Sequence, residues 1–188
     1  EHRIIGSAIR TYLLEKNRVI AQGPNERNYH IFYMLLAGAS KEMKKEFLLE
    51  GKKDPVEWGI LAMSGCVKVS GRQEKQEYVE LIAAFDQLHF SGDDIKVIFQ
   101  ILAAILHLGN ITFSHLGEGS EVVEKGIVGT VAQLIGVSDP STLEECLCNK
   151  EMVVNRERTL VKLNVDQAKN QRDALARFLY SAIFDSLV

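Results

Sequence analysis

Residues 91–110 read SGDDIKVIFQILAAILHLGN and form the most apolar helical pattern in the chain. Ser91 and Asp94 have the spacing of a capping pair, which predicts a helix from about Gly92 to Leu108 that ends at Gly109. Apolar residues cover nearly its whole circumference: Ile95, Val97, Ile98, Phe99, Ile101, Leu102, Ile105, Leu106 and Leu108. Such a helix needs neighbours on every side, so we expect it at the centre of a helical bundle.

Upstream of this segment, two shorter helices are predicted. Asn25 is a candidate N-cap of a helix that runs to about Leu36, with Gly38 as the stop. Ser40 is a candidate N-cap of a second helix that runs to about Phe47. Residues 50–72 are rich in Gly, Ser, Asp and Pro, which predicts a loop with brief ordered pieces.

Three further helices are predicted at about 73–88, 126–135 and 140–148, where Pro140 suits a first helical turn. The face of the first that we expect to be buried consists of Tyr78, Leu81, Ile82, Phe85 and Leu88.

The last helix begins where Asn164 and Gln167 can form a capping box. Its apolar stripe at three- and four-residue steps consists of Ala168, Leu175, Phe178, Leu179, Ala182, Ile183 and Leu187. The apolar pattern still runs at Val188, and residue 1 is Glu rather than Met. We therefore expect residues 1–188 to be part of a larger domain that is incomplete at both ends.

Strand signals are few. Residues 3–14 favour a strand by their β-branched and aromatic composition. Short strand-like pieces also lie at about 110–113 and 120–123. The segments EMVVN and RTLVK flank the turn at 155–157 and predict a β-hairpin. The predicted fold class is thus mainly α with minor β.

Composition excludes several classes of protein. The chain has 188 residues, enough for a real core, and its formal net charge of −3 argues against a nucleic-acid binder that relies on basicity. No apolar run approaches the roughly 18–20 residues that a membrane span needs. The three cysteines include Cys146 and Cys148, whose spacing is not that of a zinc or redox site, so we expect buried or spectator thiols in a reducing cytosol.

Catalytic motifs are missing from the sequence. It contains no G-x-x-x-x-G-K-[ST] phosphate loop, no G-x-S-x-G elbow and no H-E-x-x-H pair, and its five histidines are scattered. A self-contained enzyme is therefore poorly supported, and no catalytic, cofactor-binding or metal-binding residue is predicted within the chain.

The best candidate for function is the predicted hairpin. Between Asn149 and Lys162 the basic residues outnumber the acidic ones, and a projecting charged tip suits docking to an acidic partner. A simply solvated turn is the alternative. Likewise, the charged stretches 15–18 and 25–28 predict either an ion-pair network buried at a junction or a plain surface network.

Four stretches resemble successive landmarks of the myosin motor domain: TYLLEKNRV at 11–19, ERNYHIFYMLLAG at 26–38, ILAAILHLGNITF at 101–113 and LNVDQAKNQRDALARFLYSAIFDSLV at 163–188. They occur in the family's order and cover essentially the whole chain. The resemblance implies a fragment of a P-loop NTPase-type motor domain, namely the helical upper 50-kDa subdomain with one transducer strand at 4–13 and an actin-loop hairpin.

The resemblance also implies the partners and cofactors. ATP and Mg²⁺ would be bound by parts of the parent outside this segment, and this segment would couple that site to the cleft that binds actin filaments. The expected partners are actin filaments and the rest of the heavy chain, without nucleic acid or a membrane span. The expected location is the cytoplasmic cytoskeleton, in a myosin complex.

Within the resemblance, residues 148–165 correspond to the actin-contacting loop. The residues implied to bind actin are Lys150, Arg156, Glu157, Arg158 and Lys162. Glu157 stands sixteen residues before Asp173, at a position that is acidic or phosphorylatable in the family, and a permanent carboxylate there implies actin competence without phosphorylation. The alternative function is a catalytically dead helical module that binds actin or another protein.

Overall fold

The structure, a computed structural model, describes residues 14–52, 54–154 and 157–188, without the side chains of Val154 and Glu157. It is mainly helical with minor β structure, as predicted, and the four strands form two antiparallel hairpins, of which the second was predicted. The helices are α1 His30–Gly38, α2 Lys41–Glu46, α3 Gly59–Ala62, α4 Glu74–Gln87, α5 Gly92–Leu108, α6 Lys125–Ile135, α7 Pro140–Cys148 and α8 Val165–Ser186. The strands are β1 Phe113–Leu116, β2 Gly119–Val122, β3 Asn149–Val154 and β4 Glu157–Lys162, and 3-10 turns occupy Lys16–Val19 and Pro55–Glu57. The predicted strand at 3–14 lies outside the described residues, apart from Leu14.

Helix α5 lies at the centre of the bundle, as the sequence predicts. It packs against α1, α6 and α8, and nearly every residue from Ile98 to Leu108 is buried. The predicted cap is confirmed, because the Asp94 amide donates to Ser91 Oγ at 3.1 Å and the Ser91 amide donates to Asp94 Oδ2 at 3.0 Å. Val97 is the exception, because it is 52% exposed in the N-terminal part of α5, where most residues before Ile98 are exposed.

The predicted start of the first helix is wrong. Asn25 has a left-handed backbone conformation with φ of 61°, and α1 begins at His30. The residue that shapes this entrance is Asn28, which is buried and donates through Nδ2 to the carbonyls of Val19 and Ile60 at 2.8 and 3.2 Å. Its Oδ1 accepts from the Tyr29 amide at 2.7 Å. Asn28 is thus used to hold three chain segments together, which a local cap pattern does not reveal.

Two glycines allow close packing between elements. A Cβ on Gly38 would lie 2.3 Å from the Tyr78 ring of α4, and a Cβ on Gly109 would lie 2.4 Å from Ile60. Gly38 is the last residue of α1, so it serves the contact with α4 and is not a stop signal beyond the helix.

Four residues of the predicted apolar faces are exposed, including Leu187 at the end of α8, which is 37% exposed. Leu88 is 69% exposed because it follows the last turn of α4, and Phe178 and Ala182 lie on the solvent side of α8. Helical periodicity gives the direction of an apolar stripe but not its edges, which depend on what packs beside it.

The segment 50–72 contains short helical pieces, as predicted, and it also adds to the core. Trp58, Ile60 and Leu61 are almost fully buried there. The Trp58 ring meets the His107 ring of α5 edge-on, with 5.0 Å between centroids, and His107 Nε2 lies 3.0 Å from the Phe47 carbonyl. His107 is therefore held as a neutral donor inside the core.

His107 predicts a loss of stability in mild acid. Burial lowers its pKa, and the hydrogen bond to Phe47 only partly opposes this effect. As pH falls below the ordinary value of 6.5, the unfolded chain takes up a proton that the folded chain refuses, so the free energy of unfolding decreases. Chemical denaturation at several pH values should show this slope, and His107→Gln should flatten it. An equal slope in both proteins would contradict the assignment.

Candidate functional site

Strands β3 and β4 form an isolated ribbon. Asn149 pairs with Lys162 and Val154 with Glu157, and among the described residues no third strand joins them. The connection is shorter than predicted, because Glu157 lies in β4 and only residues 155–156 separate the strands. Directly opposed residues of an antiparallel pair share a face, so the two faces are distinct. One carries Glu151, Val153, Arg158 and Leu160, and the other carries Lys150, Met152, Thr159 and Val161.

The base of this hairpin is fixed to the body of the protein. The Leu163 amide donates to the Cys148 carbonyl at 2.9 Å, and Ser120 Oγ donates to the Leu163 carbonyl at 2.8 Å. Leu163 and Cys148 are buried. In addition, the stem of Lys162 crosses Gly119, where an added Cβ would lie 3.1 Å from Lys162 Cβ. The hairpin therefore projects from a firm base.

The structure places three of the five predicted site residues in full. Lys150, Arg158 and Lys162 are exposed on the hairpin, but Lys150 lies on the face opposite to the other two. Arg158 Nη1 lies 3.1 Å from Glu151 Oε1, and both side chains are largely exposed, so this ion pair contributes little stability. Arg156 lies outside the described residues, and Glu157 is described only by its backbone position in β4.

Apolar side chains on the hairpin were missed by the charge-based sequence analysis. Met152 and Val161 are 43% and 40% exposed on one face, and Val153 and Leu160 are 68% and 66% exposed on the other. The sequence signal for them was present, because EMVV and TLV contain consecutive apolar residues, which point to opposite faces of a strand. A two-stranded ribbon has no core on either face, so these apolar side chains stay exposed. Exposed apolar groups rimmed by charge are typical of protein-binding surfaces.

Helix α8 follows the hairpin almost directly in the chain. Only Leu163 and Asn164 separate it from β4, and the predicted capping box is confirmed, with the Gln167 amide donating to Asn164 Oδ1 at 2.9 Å. Further along, Arg172 Nη1 donates to the Ile111 carbonyl at 2.7 Å, which ties α8 to the chain that leaves α5. The hairpin and α8 thus form one continuous piece.

At the other end of the bundle, the stretches 15–18 and 25–28 form a network that is buried on one side. Arg18 contacts Glu15 Oε2 at 2.7 Å and Glu26 Oε2 at 2.8 Å, and it remains partly exposed. Arg27, in contrast, has a side chain only 3% exposed, and its Nη1 lies 2.9 Å from Glu74 Oε1. Of the two predicted alternatives, the buried junction applies to Arg27 and the surface network to Arg18.

The Arg27 guanidinium also lies over the Tyr33 ring, 3.6 Å from its centroid. Its Nε and Nη2 have no hydrogen-bond partner among the described residues, so the ring and Glu74 supply most of its stabilisation. Burial alone would raise the pKa of the Glu74 carboxyl, but hydrogen bonds from its own backbone amide and from Arg27 lower that pKa on balance. The pair therefore stays ionised at neutral pH.

The part of the chain that the structure describes offers no metal site, since it contains no cluster of three or more His, Cys, Asp or Glu side chains with suitable geometry. None of its helices is long and apolar enough to cross a bilayer. The described surface presents an exposed hairpin whose base is fixed to the body of the protein.

Comparison with known proteins identifies what the sequence is similar to. The profile of the family described as myosin head (motor domain) matches residues 1–188. Myosin-I heavy chain of Dictyostelium discoideum is 38% identical, with 100% of this chain and 8% of that protein covered. Myosin-14 of Arabidopsis thaliana is 39% identical over 99% of this chain and 12% of its own length. Human unconventional myosin-XV is 36% identical over 98% of this chain and 5% of its own length. The chain therefore spans only a small part of these relatives.

Substitution of the buried Arg27 should lower the free energy of unfolding far more than substitution of the partly exposed Arg18. Arg27→Gln leaves Glu74 without its partner and should lower the free energy of unfolding by about 3 kcal/mol. Arg18→Gln is the matched control and should cost at most about 1 kcal/mol, because its ion pairs are solvated. Urea denaturation of both variants tests this difference. Equal losses would mean that Arg27 is not the more deeply engaged residue.

Proposed function

The chain belongs to the myosin head (motor domain) family, and from this premise we propose that residues 1–188 are part of a single motor domain in an ATP-driven protein that binds actin filaments. Within that domain we assign the chain to the upper 50-kDa subdomain, where it supplies one side of the actin-binding cleft. The mainly helical fold with a projecting hairpin supports this assignment.

The observation that carries the proposal is the hairpin of β3 and β4, which has a fixed base and an exposed surface. A binding element of this kind loses little conformational freedom at its base when it docks. Its apolar side chains on both faces would be costly to leave in water on a stand-alone ribbon unless a partner covers them. A filament surface is a partner of sufficient size.

Charged and apolar groups have different roles in this docking. Lys150, Arg156, Arg158 and Lys162 would steer the hairpin toward an acidic filament surface, chiefly through the association rate. Glu157 would supply a permanent carboxylate, so that binding needs no phosphorylation at this position. The apolar side chains of Val153 and Leu160 would add affinity by leaving water when the hairpin docks.

The described residues of this chain do not fit ATP and Mg²⁺. The sequence lacks a phosphate-binding loop, and the described residues lack a metal-binding cluster. We assign nucleotide binding to other parts of the parent protein and derive no chemical step here. The contribution of this segment would be mechanical: α8 would transmit the state of the hairpin to the rest of the motor domain.

This function implies particular partners and a particular location. The partners would be actin filaments and the remainder of the heavy chain, and the location would be the cytoplasmic actin cytoskeleton. The net charge of −3 gives no support to nucleic-acid binding.

The alternative is a catalytically inactive module that binds actin or another protein. One observation favours it: the described residues form a contiguous apolar core of their own around α5. Steady-state ATPase activity of the full-length heavy chain distinguishes the two functions, since the motor hydrolyses ATP faster when filaments are added and the inactive module does not hydrolyse ATP.

An exposed leucine on the hairpin tests the apolar contribution to filament binding. Leu160→Ser should weaken co-sedimentation of the heavy chain with filamentous actin by about tenfold, which corresponds to the loss of one buried interface anchor. The control is Leu116→Ser, because Leu116 is also an exposed leucine, 54% against 66%, but lies on the β1–β2 hairpin. Circular dichroism should show both variants folded. Equal weakening by both substitutions, or by neither, would contradict the role of the β3–β4 hairpin.

The acidic position gives a separate prediction. Glu157→Lys should lower the actin-activated ATPase rate and leave basal nucleotide binding largely intact, because the carboxylate would pair with a basic group within the otherwise acidic filament surface, a lysine would repel that group, and the substitution lies outside the nucleotide site. Glu157→Gln is the milder companion and should give an intermediate rate. A parallel loss of basal nucleotide binding would show that the residue acts elsewhere.

A further inference from the structure

We infer that Tyr29 is a positioning residue that connects the hairpin-bearing helix α8 to the main chain at Glu15, and that this connection carries part of the coupling between filament binding and nucleotide binding. The inference rests on the proposed function, because coupling of this kind presupposes a motor. It does not depend on which hairpin side chains touch the filament.

The first part of the connection is the junction between the hairpin and α8. Only two residues separate β4 from α8, and both are held: the Leu163 amide donates to the Cys148 carbonyl at 2.9 Å, and Asn164 caps the helix. Ser120 fixes the Leu163 carbonyl as well. A force on the hairpin therefore reaches α8 without a flexible linker in between.

The second part is the body of α8. This helix has 22 residues, which corresponds to a length of about 33 Å. Tyr180 lies fifteen residues beyond Val165, so it is about 22 Å from the hairpin end of the helix. A continuous helix is stiff over this distance, and it contains neither Gly nor Pro to bend it.

The third part is an aromatic contact. The rings of Tyr180 and Tyr29 stack in parallel, with 4.6 Å between centroids and 13° between planes. Tyr29 is the residue just before α1, and Phe32 of α1 also packs against Tyr180, with 5.8 Å between ring centroids and 37° between planes. Helix α8 is thus held to the start of α1 by two rings, so the packing does not depend on any hydroxyl group.

The last part is a single hydrogen bond. The Tyr29 hydroxyl donates to the main-chain carbonyl of Glu15 at 3.0 Å. Glu15 comes directly before the 3-10 turn Lys16–Val19, which itself packs against α8, and its side chain holds Arg18. One side chain therefore contacts α8 through its ring and the incoming main chain through its oxygen.

The polar ties that start on α8 lead elsewhere, and one of them joins Gln171 Nε2 to the Cys146 carbonyl of α7 at 3.4 Å. Arg172 donates to the Ile111 carbonyl, which lies just after α5 in the central core. It secures α8 to the bundle and does not reach residues 14–19. Among the described residues, the direct side-chain hydrogen bond from the start of α1 to Glu15 is that of Tyr29.

A matched pair of variants tests the connection. Tyr29→Phe keeps the stacked rings and removes the hydrogen bond to Glu15. Tyr180→Phe is the control, because the Tyr180 hydroxyl makes no hydrogen bond within the described residues although its ring belongs to the same stack. The measured quantity is the coupling factor in the full-length heavy chain. This factor is the actin dissociation constant with a non-hydrolysable ATP analogue bound, divided by the constant without it. By thermodynamic linkage, the dissociation constant of the analogue with actin bound, divided by that without actin, must equal the same factor.

We expect Tyr29→Phe to reduce the coupling factor about three- to tenfold, the effect of one lost hydrogen bond. Tyr180→Phe should keep the wild-type factor, and both variants should keep the wild-type actin affinity in the absence of nucleotide. An unchanged factor in Tyr29→Phe, or an equal decrease in both variants, would overturn the inference while the motor function stands. A wild-type factor of one would instead overturn the proposed function itself.

Discussion

Covering the apolar circumference of α5 is the constraint on which the rest of the structure depends. Helices α1, α6 and α8 pack against it, and the irregular segment around Trp58 fills a further side. Even the polar residue of its last turn, His107, is taken into the core as a neutral hydrogen-bond donor. The close approaches at Gly38 and Gly109 follow from the same demand, because neighbours must come near enough to exclude water from a helix without a polar face.

Much of this arrangement can be predicted from the sequence because the signals are local. The capping boxes of α5 and α8 and the pairing of β3 with β4 depend on residues only a few positions apart, and the structure confirms them. The failures concern tertiary context. Asn28, not Asn25, organises the entrance to α1 because its amide reaches Val19 and Ile60. Leu88 and Phe178 fit a helical stripe but have nothing packed over them.

The candidate site shows the same division. Charge counting finds Lys150, Arg158 and Lys162, and the structure exposes them, but it also shows Arg158 paired with Glu151 and apolar groups on both faces of the ribbon. Conversely, two arginines with similar sequence surroundings differ in environment, since Arg18 remains partly exposed and Arg27 is enclosed by Glu74 and Tyr33. Burial of a charge is decided by residues far along the chain, so a single charged stretch cannot reveal it.

The contact between Gly119 and Lys162 has a geometric consequence. The stem of Lys162 lies where a side chain on Gly119 would be, so the absence of a single methyl group sets how the β3–β4 ribbon leans on its neighbour. A side chain at 119 would force the stem of Lys162, or the ribbon that carries it, to move by a few tenths of an ångström. Residue 119 can therefore change the position of the ribbon at its base independently of the residues at its tip.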